Sequence, residues 1–429
     1  MNQSKINGKR ILILTSRYLP KPSANGLIVD HIVKEMINRG FNVSCLSVKR
    51  SGEIEYEVID GIKIFRVSPS LYSRIQESDN TKIFKLIKKI SKVFRNIKLG
   101  LLIFKFPDFD YLQNKKVYKT IDKVLKYEEF DCVIGVFKPY SNIVALKNIR
   151  KKYPNIKCGA LYLDLINSLK KPSFMADSIY NYLIDKNSRD VLKNSDFLLI
   201  PPQGKKLFIK KRFKQFEDKI HNFDFPTLID TEEITQVNQG ILSNNTIKIT
   251  YAGTLDEKYR NPEKLLYLLD KATDKVGNIE LIIFGFNDCE SIFEKYKSKK
   301  LSIKNNGIVP HSEVIKTMLT SNYVVNIGNI NMEAVPSKIF ELFSTGRPII
   351  NLISNKNDVT KIYFDLYPNV FEINTFENIN NFIENFIDFL LLERDKKIDK
   401  KEIQRIFYKN TPAYTVDVIE KILKSEKVI

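Results

Sequence analysis

Residues 326–350 (NIGNINMEAVPSKIFELFSTGRPII) gather the side chains of this sequence best suited to ligand recognition. Glu333 and Glu341 are separated by seven residues, and Lys338 lies between them. A carboxylate only accepts hydrogen bonds and can take two donors at once, which suits it to reading hydroxyl groups. Pro336 and Ser337 are residue types that open helices. Free amides at such a helix start, together with the Lys338 charge, can hold an anion. Glu341 then falls within two turns of the helix start, and Glu333 in the loop before it. The plainer alternatives are a solvated helix carboxylate, against which stand the flanking Phe340, Leu342 and Phe343, and one surface lysine among many.

Two further loops have the composition to approach a ligand closely. One spans residues 16–26 (SRYLPKPSANG) and ends in Asn25 and Gly26; the other spans 253–262 (GTLDEKYRNP), with Gly253, Thr254, Lys258 and Arg260. Each sets glycine beside a helix start, where a bare backbone allows close approach. Neither is a GxGxxG fingerprint or a GxxxxGK[ST] loop, so nicotinamide and ATP-hydrolysis readings gain little support. Asp164 closes the apolar run CGALYLD, at the end of a strand where a sheet presents ligands; a capping aspartate is the equal alternative. Cys45, Cys132, Cys158 and Cys289 are widely spaced in apolar runs, and His31, His221 and His311 are as scattered. No metal site is expected from them, and the thiols read as small buried residues in a reducing compartment. His31 reads as structural within the first helix, and His311, after Pro310, as a helix-start residue.

These positions hang on a regular alternation of elements. Residues 10–15 (RILILT) are a short apolar run, as a buried parallel strand requires. After the first loop, apolar residues at Ile28, Val29, Ile32, Val33, Met36 and Ile37 mark one helix face, which Gly40 ends. FNVSCLSV then completes a βαβ unit, and Asp60-Gly61 predicts a tight hairpin. Strands follow at 130–137, 156–163 and 197–200. A second unit opens with TIKITYA at Thr246, continues through a helix from Glu263 to IELIIFG, and adds strands near Leu301, Tyr323 and Pro348. Two such runs predict an α/β protein of two doubly wound, Rossmann-like domains. The expected domains are 1–225 and 240–400, joined near residues 224–239, with a helix of about 403–429 packing back on the first. Ligands of open α/β sheets bind outside the carboxyl ends of the strands, where both loops lie.

The chain has 429 residues, more than one core usually covers. Its formal charge is +19, from 69 Lys and Arg against 50 Asp and Glu. Such an excess favours an anionic partner: phosphorylated substrate, acidic lipid or nucleic acid. Residues 81–105 (TKIFKLIKKISKVFRNIKLGLLIFK) hold eight basic residues and no acid, with an apolar helical face at Ile83, Leu86, Ile87, Ile90, Val93, Phe94 and Ile97. Such a helix can lie on an anionic membrane surface; a core helix with a solvated basic face is the alternative. The amino terminus lacks the apolar region of a secretory signal, and no apolar run approaches the roughly 18 residues of a spanning helix. The expected location is cytoplasmic, or peripheral at the inner face of the plasma membrane.

Residues 326–350 resemble the donor-binding segment of family 4 glycosyltransferases, retaining enzymes of GT-B architecture. Glu-x7-Glu alone is common by chance. Here it is joined by Pro336-Ser337-Lys338, by Phe340-Glu341, and by Gly346 and Pro348 at the spacing of that family. Tyr251–Leu255 with Arg260-Asn261-Pro262 is similar to the loop opening the family's donor domain, and residues 20–26 to its acceptor-domain opening. The match departs where Thr254 stands in place of a phosphate-binding Arg, so that Lys258 or Arg260 must supply the charge, and where Ala334-Val335 replace glycines after Glu333.

The resemblance implies two domains facing across a cleft, the second binding a nucleoside diphosphate sugar, with a UDP-sugar the first expectation. It implies ribose recognition by Glu341 and sugar-hydroxyl recognition by Glu333. Gly253, Thr254, Lys258, Arg260, Ser337 and Lys338 would surround the diphosphate, Asn25 and Gly26 the acceptor, and Glu333 and Asp164 the reacting sugar. No DxD-like carboxylate cluster stands out among these residues, so no metal or other cofactor is expected. The acceptor would be a glycan or a lipid-linked sugar in bacterial cell-surface polysaccharide synthesis. Two rivals stand beside this: a catalytically inactive GT-B-fold partner, and a nucleic-acid-binding protein. The second has the charge but no recognised motif, so no nucleic-acid partner is expected.

Overall fold

The computed structural model describes residues 8–70, 111–163, 171, 175–202, 204, 211–228, 246–330 and 335–425. The chain divides into two units: Met1–Pro226 with Pro412–Ile429, and Thr227–Thr411.

The first unit is built on β1 (Arg10–Leu14), α1 (Ala24–Asn38), β2 (Asn42–Val48), β3 (Tyr56–Ile59), β4 (Ile62–Val67), α2 (Tyr111–Tyr127), β5 (Cys132–Phe137), α3 (Tyr140–Lys152), β6 (Lys157–Tyr162), α4 (Asp177–Asn194), β7 (Phe197–Ile200) and β8 (Ile220–Asn222). Its described strands form one sheet in the order β3-β4-β2-β1-β5-β6-β7-β8. Every pairing is parallel except β3 with β4, the hairpin turned by Asp60 and Gly61, both at positive φ. The central strands are buried on both faces, which is why they read as unbroken apolar runs. One face packs under α2 and α3 through Val117, Ile121, Ile143 and Leu146; the other meets α1 through Val29, Ile32, Val33 and Met36.

The second unit runs β9 (Thr246–Ala252), α5 (Glu263–Val276), β10 (Asn278–Phe284), α6 (Glu290–Tyr296), β11 (Leu301–Asn305), α7 (His311–Leu319), β12 (Tyr323–Ile327), α8 (Lys338–Ser344), β13 (Ile349–Ile353), α9 (Lys361–Phe364), β14 (Val370–Asn374), α10 (Ile383–Leu392) and α11 (Lys400–Ile406). Its sheet is parallel throughout, in the order β11-β10-β9-β12-β13-β14. The short edge strands β8 and β14 are additions to the sequence expectation. β8 spans three residues and β14 is mostly half-buried, so neither shows the apolar run of an interior strand.

A last helix, α12 (Pro412–Lys424), returns to the first unit. It buries Val416, Ile419 and Leu423 in the core shared with α1. Arg39, at the end of α1, donates to Asp417 at 2.6 Å and to the Ala413 carbonyl at 3.0 Å. α11, which begins at Lys400, belongs to the second unit, so the return begins at Pro412.

Candidate functional site

In each sheet the strand order reverses beside the first strand, between β1 and β5 and between β9 and β12. A crevice opens at the carboxyl end of such a switch point, because successive crossovers leave it on opposite faces.

In the second unit the first lip is the turn after β9. Gly253 is buried, and a Cβ there would lie 2.6 Å from the Tyr251 hydroxyl. That hydroxyl donates to the Thr254 carbonyl at 3.0 Å. Gly285, after β10, has φ 116°, and its missing Cβ would fall 2.2 Å from the Gly253 carbonyl. Two glycine backbones thus pack together at the head of adjacent strands. Gly285 escaped the sequence reasoning; its one signal is a glycine closing the apolar run IELIIF.

Beyond Gly253 the chain makes a small turn. Asp256 and Arg260 exchange backbone hydrogen bonds, and the Asp256 carboxylate accepts from the amides of Lys258 and Tyr259. Lys258 is exposed, its ammonium 5.1 Å from the Tyr259 ring, and Arg260 is half-buried. Thr254 is exposed. The Tyr259 carbonyl accepts from the Ile330 amide at 3.4 Å, tying this turn to the segment that follows β12 across the switch point.

The second lip is the start of α8. The helix begins at Lys338, and Ser337 makes no side-chain cap bond. Ser337 instead offers its carbonyl to the Phe340 amide and the Thr227 hydroxyl. Phe340 and Phe343 are fully buried and anchor the inner face of the helix in an aromatic cluster: Phe343 stacks on Phe407 with centroids 4.5 Å apart, and Phe340 meets Tyr363 edge-on at 5.1 Å. Lys338 and Glu341, three residues apart, share the outer side. Lys338 is exposed, while the Glu341 side chain retains 22% of its accessibility.

The structure adds a partner that spacing did not predict. His311, the first residue of α7, places Nε2 3.3 Å from Glu341 Oε2. That bond raises the His311 pKa against its burial, and the Glu341 charge adds to the rise while Lys338 opposes it. Lys338, Glu341 and His311 therefore form one electrostatic group. Among the described residues no hydrogen bond or ion pair joins Lys258 or Arg260 to it, and neither the Arg260 nor the Lys338 side chain is ion-paired.

In the same segment Gly346 and Arg347 serve the fold. Gly346 has φ 69° and packs against the Ile398 backbone, while Arg347 donates to the Leu319 carbonyl at the end of α7. Glu333 and Asp164, the two residues expected at the reacting sugar, lie outside the described residues, as do residues 81–105.

In the first unit the loop after β1 is tightly held. Ser23 caps α1 by accepting from Gly26, and its hydroxyl lies 2.6 Å from that of Ser16. A Cβ on Gly26 would lie 2.0 Å from the Arg17 carbonyl, so glycine is required here by close approach. Asn25 is half-buried one residue earlier. Arg66, whose side chain is fully buried, donates to the Leu19 carbonyl at 2.8 Å and pairs with Glu53 and Glu57, bracing the loop from the hairpin. Among the described residues no three His, Cys, Asp or Glu side chains are grouped to hold a metal, and no helix is long and apolar enough to cross a membrane.

Two doubly wound sheets, with the last helix returned to the first, give the chain the GT-B fold of glycosyltransferases. Solved structures share it. One described as trehalose-6-phosphate from E. coli bound with UDP-2-fluoro glucose matches with a TM-score of 0.61 at 11% identity, over 97% of this chain and 100% of that one. The lipopolysaccharide outer core galactosyltransferase WaaB matches at 0.56 and 14%, over 96% and 99%. HepE of Anabaena, in complex with UDP and glucose, matches at 0.52 and 11%, over 96% and 100%. At such identities the likeness is one of fold. No protein-family profile matches the sequence, and no curated protein does.

Proposed function

We propose that this protein is a retaining glycosyltransferase that moves a sugar from a nucleoside diphosphate sugar, with UDP the favoured carrier, to a glycan or lipid-linked acceptor in cell-surface polysaccharide synthesis. The observation that carries the reading is Glu341: a half-buried carboxylate, one turn from an exposed Lys338 that has no ion-pair partner among the described residues, at the carboxyl edge of the second sheet. A carboxylate there can accept from two ribose hydroxyls. Lys338 and Arg260 would neutralise the departing diphosphate without a metal, as fixed charges suited to the charge that develops. Gly253 and Thr254 would let the backbone approach it. Glu333 is assigned to the transferred sugar, Asp164 to the reacting centre, and Asn25 and Gly26 to the acceptor side. Complexes of two proteins of the same fold, one with UDP-2-fluoro glucose and one with UDP and glucose, support the choice of ligand.

Thermal unfolding with UDP in EDTA tests the site. Saturation at about a hundred times the dissociation constant should add about 2.7 kcal/mol, and Glu341→Ala should lose most of it. An equal shift in parent and variant removes the ribose assignment; a shift that needs magnesium or manganese removes the metal-free reading. We further propose that residues 81–105 bring the enzyme to anionic membrane. Binding to anionic vesicles should weaken with salt and with Gln at Lys85, Lys88, Lys89 and Lys92; equal binding of this variant rejects the assignment.

A further inference from the structure

The Glu341 carboxylate is held from outside its own helix. We propose that His311 is a positioning residue for the nucleotide ribose, binding one oxygen of Glu341 and leaving the other to accept from the sugar hydroxyls. The inference rests on the donor reading above and deepens it.

Three observations support it. First, the contact is specific: His311 Nε2 to Glu341 Oε2 at 3.3 Å, between two helices that follow different strands. Second, His311 is the single hydrogen-bond and ion-pair partner of Glu341 among the described residues, so the second carboxylate oxygen is uncommitted. Third, α8 spans seven residues and its inner face is fixed by Phe340 and Phe343, so the backbone beneath Glu341 is settled and the freedom left is that of the side chain. A carboxylate held in its binding rotamer before the ligand arrives loses less entropy on binding. His311 can do this whenever Nε2 carries a proton, in the neutral Nε2–H tautomer or in the imidazolium.

A bond that merely ties two helices together would have the same geometry, and the experiment separates the two. UDP and 2′,3′-dideoxy-UDP are titrated calorimetrically into the parent, His311→Ala and His311→Gln. The ratio of the two affinities reads the hydroxyl contact alone, as the ligand arm of a double-mutant cycle. The parent should prefer UDP by about tenfold, and His311→Ala should cut this to about threefold while dideoxy-UDP binding stays within about twofold. His311→Gln, which keeps an N–H donor, should restore most of the preference. An unchanged ratio in His311→Ala overturns the inference, and so does equal weakening of both nucleotides, the signature of a structural tie. A parent that binds UDP without preference removes the Glu341 assignment and the inference with it. A parent that binds neither nucleotide overturns the donor reading itself.

Discussion

At His311 the charge state and the contact are linked, which gives a pH signature independent of any ligand. The Glu341 bond lifts the His311 pKa above the ordinary 6.5, while burial and the Lys338 charge pull the other way. A histidine whose folded pKa exceeds its unfolded value stabilises the fold fully below the unfolded pKa, and that contribution is lost as pH rises through the folded one. The melting temperature of the parent minus that of His311→Gln should therefore be greatest between about pH 5 and 6.5 and fade above. Half of the imidazole is exposed, so solvent screens the pair and the difference should be on the order of 1 °C. A difference that grows with pH would mean the pair is not charged as described. The sequence carried Glu341 and Lys338 through their offsets from Pro336 and Gly346, because both sit on one local turn. His311 was legible only as a helix start, since its meeting with Glu341 depends on where α7 crosses the sheet, 30 residues away in sequence.

The elements that carry this pair are short, and packing rather than length stabilises them. A seven-residue helix has little stability of its own, and α8 owes its position to Phe340 and Phe343 among Tyr363, Phe364, Tyr367 and Phe407. Phe343→Ala removes the ring stacked on both Phe407 and Tyr367, and should cost about 3–5 kcal/mol. Read by the urea midpoint, a loss under about 1 kcal/mol would show that this cluster is not what fixes the helix. The same variant should bind UDP more weakly. The interior strands were legible to within two residues because both of their faces are buried, so that CVIGVF and FLLI stand out as apolar runs. β8 and β14 lie at sheet edges, where one neighbour is missing and the apolar pattern breaks.

For the whole molecule, the fold depends on contacts between chain segments hundreds of residues apart, and Arg39 is the clearest of them. Its guanidinium reaches Glu35 within α1, Asp417 and the Ala413 carbonyl on α12, across 378 and 374 residues of sequence. Burial works against the charge, but the bonds to Asp417 and Glu35 outweigh it and raise the pKa. Arg39→Ala would leave the last helix held by the buried Val416, Ile419 and Leu423 and by Lys9 and Lys157, which donate to the carbonyls of Leu423, Ile422 and Ser425. The side chain is about a quarter exposed, so the hydrogen bonds to it should be worth about 1–2 kcal/mol after screening. Calorimetry should show the transition of the first unit lowered by about 2–6 °C. UDP should still stabilise the variant by as much as the parent, because the proposed nucleotide site is built entirely from the second unit, which has its own sheet and core. An unchanged first transition would show that α12 is retained without the Arg39 contact. A loss of the UDP shift would mean instead that the two units do not hold their structures independently, and that the returning helix contributes to the nucleotide site after all.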